Sequence, residues 1–276
     1  MADRRVAITG SGGRMGRMLV AEVHAAPDLA LAGGSEAPGS PLLGRDIGEL
    51  AGIGPVGLTV TADAAALIGK ADIVIDFTTP AASVEHARLC AERGAALVVG
   101  TTGLDATQAT ALEAAAKRIP VVWAPNMSPA VTLLQGLVAE AARRLGEDYD
   151  IEVLEMHHRH KVDAPSGTAL ALGRAAADGR GIDLAGRSQR VRDGHTGPRK
   201  RGDIGFATLR GGDVVGDHSV IFAGEGERLE LTHRAGSRRL FALGALRAAR
   251  WVAGRKPGLY GMKDVLGLSE PASSRA

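Results

Sequence analysis

Residues 6–16 read Val6-Ala-Ile-Thr-Gly10-Ser-Gly-Gly13-Arg-Met-Gly16. A strand-like run passes directly into four glycines, of which Gly10 allows a tight turn. Gly12 and Gly13 let backbone N–H groups approach an anion, and Gly16 permits a helix to pack closely on the strand. The run therefore predicts a strand, a turn and a helix start, the first unit of a doubly wound α/β sheet.

An acidic residue stands where this turn would need one to bind a dinucleotide. Glu36 follows the second predicted strand, residues 29–33, and lies twenty positions after Gly16. A carboxylate at this place accepts hydrogen bonds from the adenosine ribose, and we expect Arg14 to reach the phosphates. Turn and carboxylate together predict a nicotinamide dinucleotide site, although the turn alone is equally compatible with a simple tight connection.

Short β-type runs alternate with helical runs through the first half of the chain. Predicted strands cover residues 6–9, 29–33, 57–60, 72–77, 97–100 and 121–124, and predicted helices include a helix after Gly16 and the segments 81–93 and 105–117. Near-continuous apolar strands such as Ile73-Val-Ile75 are typical of a parallel sheet covered on both faces. We therefore predict an α/β fold with an N-terminal Rossmann-like, doubly wound parallel sheet.

The pattern changes after residue 127, where we place a domain boundary. Ser128 and Pro129 predict the start of a helix that continues to Leu145. Later strands are expected at 150–156, 205–210, 214–222 and 228–234, with a closing helix at 239–253. Glycine-bearing turns at 211–213 and 223–226 predict a smaller α+β domain whose sheet is mainly antiparallel.

The second chemically rich segment is Glu155-Met-His-His-Arg-His-Lys161-Val-Asp-Ala-Pro-Ser-Gly-Thr168. An imidazole titrates near neutrality and an ammonium group donates a proton to a developing anion, so the segment predicts acid–base chemistry. Ser166 is the expected N-cap of a helix over 169–177, whose free N–H groups form a site for a carboxylate. Any single one of these residues is also compatible with an ordinary cap beside a solvated turn.

Composition narrows the class of protein. The formal net charge is +2 and Cys90 is the single cysteine, so a disulfide framework is excluded and Cys90 is expected to pack rather than react. We expect a cytoplasmic protein that has no membrane segment and binds a small anion. The basic stretch 187–201 is interpreted as a solvated loop, because it lacks the aromatic residues that stack on nucleic-acid bases. No metal site is expected, since no Cys pair or His-Glu-x-x-His pattern is present.

Four segments of the sequence resemble those of a known family. The segments Gly10-Ser-Gly-Gly-Arg-Met-Gly16, Gly100-Thr-Thr-Gly103, Ala124-Pro-Asn126 and Glu155-x-His-His-x-x-Lys161-x-Asp-x-Pro-Ser-Gly-Thr168 resemble the dihydrodipicolinate reductase family. The resemblance implies reduction of 4-hydroxy-tetrahydrodipicolinate, a small dicarboxylate, to tetrahydrodipicolinate, with loss of water, in the diaminopimelate route to lysine. It also implies a homotetramer, formed by a substrate-binding and oligomerisation domain at 128–237, and a dinucleotide-binding domain at 1–127 completed by 238–276.

The resemblance assigns roles to individual residues. His157 is implied as the acid–base group and Lys161 as the proton donor, and His158, Ser166, Gly167 and Thr168 are expected to contact the substrate. The expected cofactor-binding residues are Gly10, Ser11, Gly12, Gly13, Arg14, Met15, Gly16, Glu36, Gly100, Thr101, Thr102, Ala124, Pro125, Asn126 and Met127.

Two departures from the family pattern affect the expected cofactor, NADH or NADPH. Members that accept both often carry Arg directly after the acidic residue, whereas here Ala37 follows Glu36, so we expect a preference for NADH that Arg14 weakens if it reaches a 2′-phosphate. Asn126 is followed by Met127-Ser-Pro-Ala130 where the family more often has Phe-Ser-x-Gly, so we expect an altered loop on the nicotinamide side.

Three alternatives compete with the reductase. A regulator that binds NAD(H) without turnover needs only the glycine run and Glu36, and it leaves the His-Lys segment without a purpose. A dehydrogenase acting on another small carboxylated substrate is disfavoured by the spacing around Lys161 and Ser166. A metal hydrolase would need the ligand pattern that the sequence lacks.

Overall fold

The computed structural model describes residues 3–269. Positions 1, 2 and 270–276, which we expected to belong to the dinucleotide domain, lie outside the described residues. The chain divides into two compact units, unit 1 (Met1–Ser128 with Arg239–Ala276) and unit 2 (Pro129–Arg238).

The elements are numbered along the chain. The strands are β1 Arg4–Thr9, β2 Leu29–Ser35, β3 Val60–Thr61, β4 Ile73–Asp76, β5 Ala96–Val99, β6 Pro120–Trp123, β7 Asp150–His157, β8 Ser188–Gln189, β9 Ile204–Arg210, β10 Gly216–Ala223, β11 Arg228–Ala235 and β12 Gly258–Tyr260. The helices are α1 Arg14–Ala25, α2 Ile47–Ala51, α3 Ala64–Ile68, α4 Pro80–Arg93, α5 Ala106–Ala116, α6 Pro129–Leu145, α7 Gly167–Arg180, α8 Leu184–Arg187, α9 Arg239–Val252 and α10 Met262–Val265.

Unit 1 is built on a seven-stranded parallel sheet in the order β12-β6-β5-β4-β1-β2-β3. Successive residues of a strand face opposite sides, so Val6 and Ile8 enter the core that also contains residues of α1 and α9. Ala7 lies in the second core, which contains residues of α4 and α5. Helices on both faces of a parallel sheet confirm the predicted doubly wound fold.

The glycine turn after β1 has the conformation that its sequence requires. Gly10 has a φ of +71°, a region that residues with a side chain rarely adopt. A Cβ atom on Gly16 would lie 2.0 Å from the carbonyl oxygen of Gly10, so only glycine fits there. The helix begins at Arg14, earlier than expected, and Gly16 therefore lies within its first turn.

Unit 2 contains a five-stranded mixed sheet in the order β11-β10-β7-β9-β8. Strand β10 pairs antiparallel with β11 and β7, whereas β9 pairs parallel with β7 and β8. Residues of α6, α7 and the sheet form a common core that includes Ile151, Val153, Leu172 and Phe222. The second domain thus has the predicted α+β character, with parallel and antiparallel pairs in equal number among these strands.

The glycine-bearing turn at 211–213 does not form a hairpin between neighbouring strands, because β7 lies between β9 and β10. The connection instead passes over the end of β7, where Gly211 N donates to the carbonyl of His157 and His158 N donates to the carbonyl of Val214. The turn at 223–226 does join two paired strands, β10 and β11. A glycine-rich turn predicts a reversal of the chain, but it does not specify which strand becomes the partner.

Cys90 lies in α4 and is fully buried. Burial raises the pKa of its thiol, and the nearby Asp76 carboxylate adds to the effect. A thiol in this environment stays protonated at neutral pH and is a poor nucleophile. Among residues 3–269, no helix combines the length and the apolar character needed to span a bilayer.

Candidate active site

In unit 1 the expected cofactor residues lie on the loops that follow the parallel strands. The glycine turn follows β1, Glu36 follows β2, Gly100 to Thr102 follow β5, and Ala124 to Met127 follow β6. Strand β1 pairs with both β2 and β4, so the direction of the strand order changes beside β1. Loops at the carboxyl ends of the strands near such a point form the usual ligand crevice of open α/β sheets.

The glycine turn and the acidic residue are joined directly. Gly12 N donates a hydrogen bond of 2.7 Å to Glu36 Oε1. Gly10 N and Ser11 N donate to the carbonyl of Ser35, and Gly13, the N-cap of α1, provides no side-chain acceptor for the helix. The N–H groups of the first turn of α1 therefore stay available to an anion.

A cleft of about 680 Å³ opens beside this turn. Its walls come from the loops after β1, β2 and β4 and from the starts of α3 and α4. The residues that line it include Gly10, Gly13, Glu36, Ala37, Pro38, Ala62, Ala65, Phe77, Thr79, Ala82 and His86. The lining is mainly apolar and also carries the carboxylates of Glu36, Asp63 and Glu85, together with Thr78 and Arg88. An apolar wall with hydrogen-bond acceptors suits an adenosine group, whose base is apolar on its faces and whose ribose carries hydroxyls.

The two threonines after β5 differ in their environment. Thr101 is 4 % exposed, and its hydroxyl accepts from Thr78 N at 2.9 Å and lies 3.4 Å from Asp76 Oδ1, to which it donates. Thr102 is exposed. Gly100 lies against Phe77, because a Cβ atom on Gly100 would fall 2.1 Å from that ring. The hydroxyl of Thr101 is thus used in hydrogen bonds inside the protein, and Thr102 is the threonine that is accessible to a ligand.

The loop after β6 is anchored at both ends. Ala124 N donates to the carbonyl of Val99, and Asn126 Oδ1 accepts from Ser128 N at 2.8 Å. Ala124 and Met127 are 5 % and 1 % exposed and belong to the core of unit 1. Met127, which stands where the family more often has Phe, therefore contributes mainly packing.

Unit 2 has a buried carboxylate at the end of its central strand. The Glu155 side chain is 1 % exposed. It accepts two hydrogen bonds from the Arg210 guanidinium, at 2.8 and 3.1 Å, and one from Ser166 N at 3.1 Å. Burial alone would raise the pKa of Glu155, but the hydrogen bonds from Arg210 and His157 outweigh it and hold the pKa below its usual value. Glu155 is therefore ionised at neutral pH.

An ionised Glu155 fixes the tautomer of His157. The two side chains meet at 2.6 Å through His157 Nδ1. Since a carboxylate only accepts, Nδ1 carries the hydrogen, and Nε2 is left for chemistry. Gly216 lies beside that nitrogen, where a Cβ atom would approach Nε2 to 2.9 Å, so the absence of a side chain keeps the nitrogen approachable.

The imidazole of His218 packs against that of His157. His218 is 4 % exposed, and its ring packs edge-on against His157 with centroids 5.1 Å apart. Burial lowers the pKa of His218 to about 4, and the neighbouring His157 adds to the shift. His218 is thus neutral near pH 7, and its Nε2 is hydrogen-bonded to Ser166 Oγ across 2.9 Å.

Ser166 caps helix α7 as predicted. Its hydroxyl oxygen accepts from Ala169 N at 3.1 Å, and the residue is buried. Gly167 is exposed and Thr168 half-buried at the first two positions of the helix. The helix N-terminus therefore presents Gly167 and Thr168 to solvent. Ser166 is fixed by hydrogen bonds from its backbone N to Glu155 and between its hydroxyl and His218.

Lys161 lies on the short loop after β7, which is hydrogen-bonded to Arg210. Its ammonium donates to Asp163 at 2.8 and 2.9 Å, and this bond lowers the pKa of Asp163. Arg210 donates to the backbone carbonyls of Lys161 and Asp163. Strand β7 ends at His157, so His158 and His160 approach each other, at 6.3 Å between ring centroids, on this loop and not on an extended strand.

Sequence analysis assigned no role to Glu155, Arg210 or His218. The strand register explains their meeting, because Glu155 stands opposite His218 on β10 and opposite Thr208 on β9. Arg210 stands opposite His157. The alternation of Glu155 and His157 along β7 was visible in the sequence, but their partners depend on which strands flank β7.

The basic stretch 187–201 is held by matching carboxylates. Arg192 and Arg199 both bind Glu152, Arg199 also binds Asp150, and Arg201 binds Asp148. These ion pairs neutralise part of its positive charge within unit 2. Within residues 3–269, no three His, Cys, Asp or Glu side chains converge in a way that could hold a metal ion.

Comparison with known proteins places both units in one family. Residues 4–127 match the model of the dihydrodipicolinate reductase N-terminus, and residues 130–266 match that of its C-terminus. A 4-hydroxy-tetrahydrodipicolinate reductase of Afipia carboxidovorans is 58 % identical over 97 % of this chain and 98 % of its own, and one of Chelativorans sp. is 56 % identical over 98 % of each. The structure of dipicolinate-bound dihydrodipicolinate reductase from Paenisporosarcina sp. TG-14 superposes with a TM-score of 0.74 at 26 % identity, covering 95 % of this chain and 99 % of that one. The chain therefore belongs to the dihydrodipicolinate reductase family and is an oxidoreductase.

Proposed function

We propose that this chain reduces 4-hydroxy-tetrahydrodipicolinate to tetrahydrodipicolinate with NADH or NADPH, with release of water. The observation that carries the proposal is the His157 ring, which is held through Nδ1 by Glu155 with Nε2 left approachable. A regulator that only binds a nucleotide has no use for an imidazole oriented by a buried carboxylate. Family membership and this arrangement together favour turnover.

Substrate binding is proposed at the start of α7. The substrate carries two carboxylates, and the N–H groups of Gly167 and Thr168 provide donors at the positive end of the helix. His158 lies on the adjoining loop, and partial burial together with the nearby Arg238 lowers its pKa. Ser166 acts indirectly, since its buried hydroxyl is already used by the helix and by His218.

Proton transfer is assigned to Lys161 and His157. The Lys161 ammonium is held by the exposed Asp163 carboxylate, which a substrate carboxylate can replace without loss of charge pairing. The bound cofactor would supply the hydride to the substrate ring, and the chain would supply the proton. Positioned donors of this kind contribute about 10² to 10⁴ in rate.

The cofactor is proposed to bind unit 1 across the carboxyl edge of the sheet. The first turn of α1 would hold the pyrophosphate, and Glu36 Oε2 would accept from the adenosine ribose while Oε1 stays on Gly12. The residues after Glu36 favour a ribose hydroxyl over a 2′-phosphate, since Ala37 and Pro38 carry no charge and Arg88, which also lines the cleft, is paired with Glu85 and Glu92. We therefore propose a preference for NADH.

The second sheet supports a proposed homotetramer. Leu154, Met156, Leu209 and Ile221 lie on the face opposite the α6–α7 core, and Leu209 is 48 % exposed. They share this face with polar residues such as Glu152, Ser219 and Thr232, and a subunit interface typically combines apolar residues with polar ones. The side chains of a partner would remove these residues from water.

Replacing Lys161 by Ala is expected to lower kcat by about 100-fold or more, because the proton donor is lost. Steady-state kinetics with freshly generated cyclic substrate measure the effect, and KM is recorded as well since Lys161 also adjoins the carboxylate site. Lys117→Ala, an exposed lysine at the end of α5, is the matched control. A variant with a kcat near that of the parent chain would refute the assignment of Lys161.

Replacing Glu155 by Gln is expected to destabilise unit 2 by about 3 kcal/mol, since Arg210 loses its buried counter-charge. The pKa of Glu155 is lowered by folding, so its contribution to stability is complete above the ordinary glutamate pKa and is lost as the pH falls through the folded value. Denaturant unfolding should therefore show a constant difference between the parent and the variant at pH 6 to 8 and a shrinking one below about pH 4. The exposed Glu225→Gln serves as control, and a difference that does not change with pH would contradict the ionised state of Glu155.

Introducing arginine at Ala37 should shift the cofactor preference toward NADPH by about tenfold, because the guanidinium can bind a 2′-phosphate. The measurement is kcat/KM for NADH and for NADPH in the parent chain and in Ala37→Arg. Ala37→Gln adds similar bulk without charge and should not change the ratio. If the parent chain already has the higher kcat/KM for NADPH, the proposed preference is wrong.

Light scattering after size-exclusion chromatography should give four times the 28.4 kDa chain mass. Leu209→Arg, which places a charge beside Met156 on this face, should lower that mass, whereas Glu225→Arg on the turn between β10 and β11 should leave it unchanged. A monomeric parent chain would contradict the assembly.

A further inference from the structure

Asp76 is a fully buried carboxylate that the proposed reaction does not use. It is the last residue of β4, the strand between β1 and β5, and its exposed fraction is 0 %. The residues opposite it, Thr9 on β1 and Val99 on β5, are uncharged. A buried carboxylate costs free energy unless its oxygens are satisfied, so its partners identify what it holds in place.

Three side chains satisfy this carboxylate. Oδ1 accepts from the hydroxyl of Thr78 at 2.6 Å and from that of Thr101 at 3.4 Å. Oδ2 meets His86 Nδ1 at 3.2 Å, and His86 belongs to α4, which lines the cleft of unit 1. One carboxylate therefore ties together the loop after β4, the loop after β5 and the helix beside the cleft.

The two loops are also joined to each other. Thr78 N donates to Thr101 Oγ1, so the Thr101 hydroxyl accepts from one loop and donates to Asp76. On the other side of the crevice, a Cβ atom on Gly10 would lie 2.9 Å from Thr78 Cγ2. Thr78 thus sits between the glycine turn and the Thr101 loop, and its position sets the separation of both.

We infer that Asp76 is a positioning residue of the cofactor site, which fixes the loops after β4 and β5 at the spacing that a nicotinamide dinucleotide needs. It does not touch the ligand and acts through Thr78 and Thr101. The inference rests on the cofactor site proposed above. Loss of these bonds lets both loops relax, so that cofactor binding weakens while the substrate-binding groups of unit 2 are unaffected.

The test measures NADH dissociation constants by fluorescence titration, together with steady-state kinetics. Asp76→Ala removes every bond of the carboxylate, Thr78→Val removes one donor at nearly constant shape, and Asp76→Asn keeps an acceptor for the threonines. Thr9→Val is the matched control, since Thr9 is equally buried at the end of the adjacent strand and its hydroxyl donates to the carbonyl of Ile75. Melting temperatures report the general cost of each change.

Asp76→Ala and Thr78→Val are expected to raise the Kd and KM for NADH about tenfold, as for the loss of a hydrogen bond to a charged group, with an unchanged KM for the cyclic substrate. Asp76→Asn should recover most of the affinity, and Thr9→Val should bind NADH like the parent chain even where its melting temperature falls. If Asp76→Ala does not fold, Thr101→Val carries the comparison, because the buried Thr101 hydroxyl donates to Asp76 whereas Thr78 also lines the cleft itself.

Two results would overturn the inference. Parent-like NADH binding by Thr78→Val, or an equal loss of affinity in Thr9→Val, would show that Asp76 serves general stability only. A parent chain that binds neither NADH nor NADPH would overturn the proposed cofactor site and this inference with it.

Discussion

The buried ion pair between Glu155 and Arg210 is the constraint on which the rest of unit 2 depends. Glu155 is enclosed almost completely and remains charged, so every oxygen lone pair that faces the interior must find a donor. The available donors are the side chains and backbone groups of the site itself. The requirement to satisfy one carboxylate therefore orients the His157 ring, holds the start of α7 through Ser166 N, and anchors the Lys161 loop through Arg210.

Unit 1 also has a buried carboxylate, Asp76, that fixes the loops around it. Asp76 ends a central parallel strand as Glu155 nearly ends β7, and each buried carboxylate gathers the loops that leave its edge of the sheet. Loops carry ligand-binding groups but have few contacts of their own, whereas a strand end is rigid. A buried carboxyl group at the strand end transfers that rigidity to the loops, because it cannot release its hydrogen-bond donors without leaving an oxygen unsatisfied.

The fold of unit 1 was predictable because its signals are local. Gly10 and Gly16 lie next to the strand and helix that they join, and Ile73-Val-Ile75 identifies a buried parallel strand from three residues. Ser166 was predicted as a cap for the same reason, since a cap and its helix are adjacent in sequence. In each case the interaction that fixes the structure spans only a few positions of the chain.

The contacts that could not be predicted from the sequence depend on the order of the strands in each sheet. Glu155 and Arg210 are fifty-five positions apart and meet only because β9 pairs parallel with β7. The glycine-bearing turn at 211–213 favoured a hairpin that would have placed β10 beside β9, whereas β7 lies between them and has Arg210 on one side and His218 on the other. The inward orientation of the Thr101 hydroxyl could not be predicted for the same reason, because its partner, Asp76, lies on the neighbouring strand β4. A sequence motif therefore names the groups that act at a site, while the buried charges that hold them in place become visible only when the order of the strands is known.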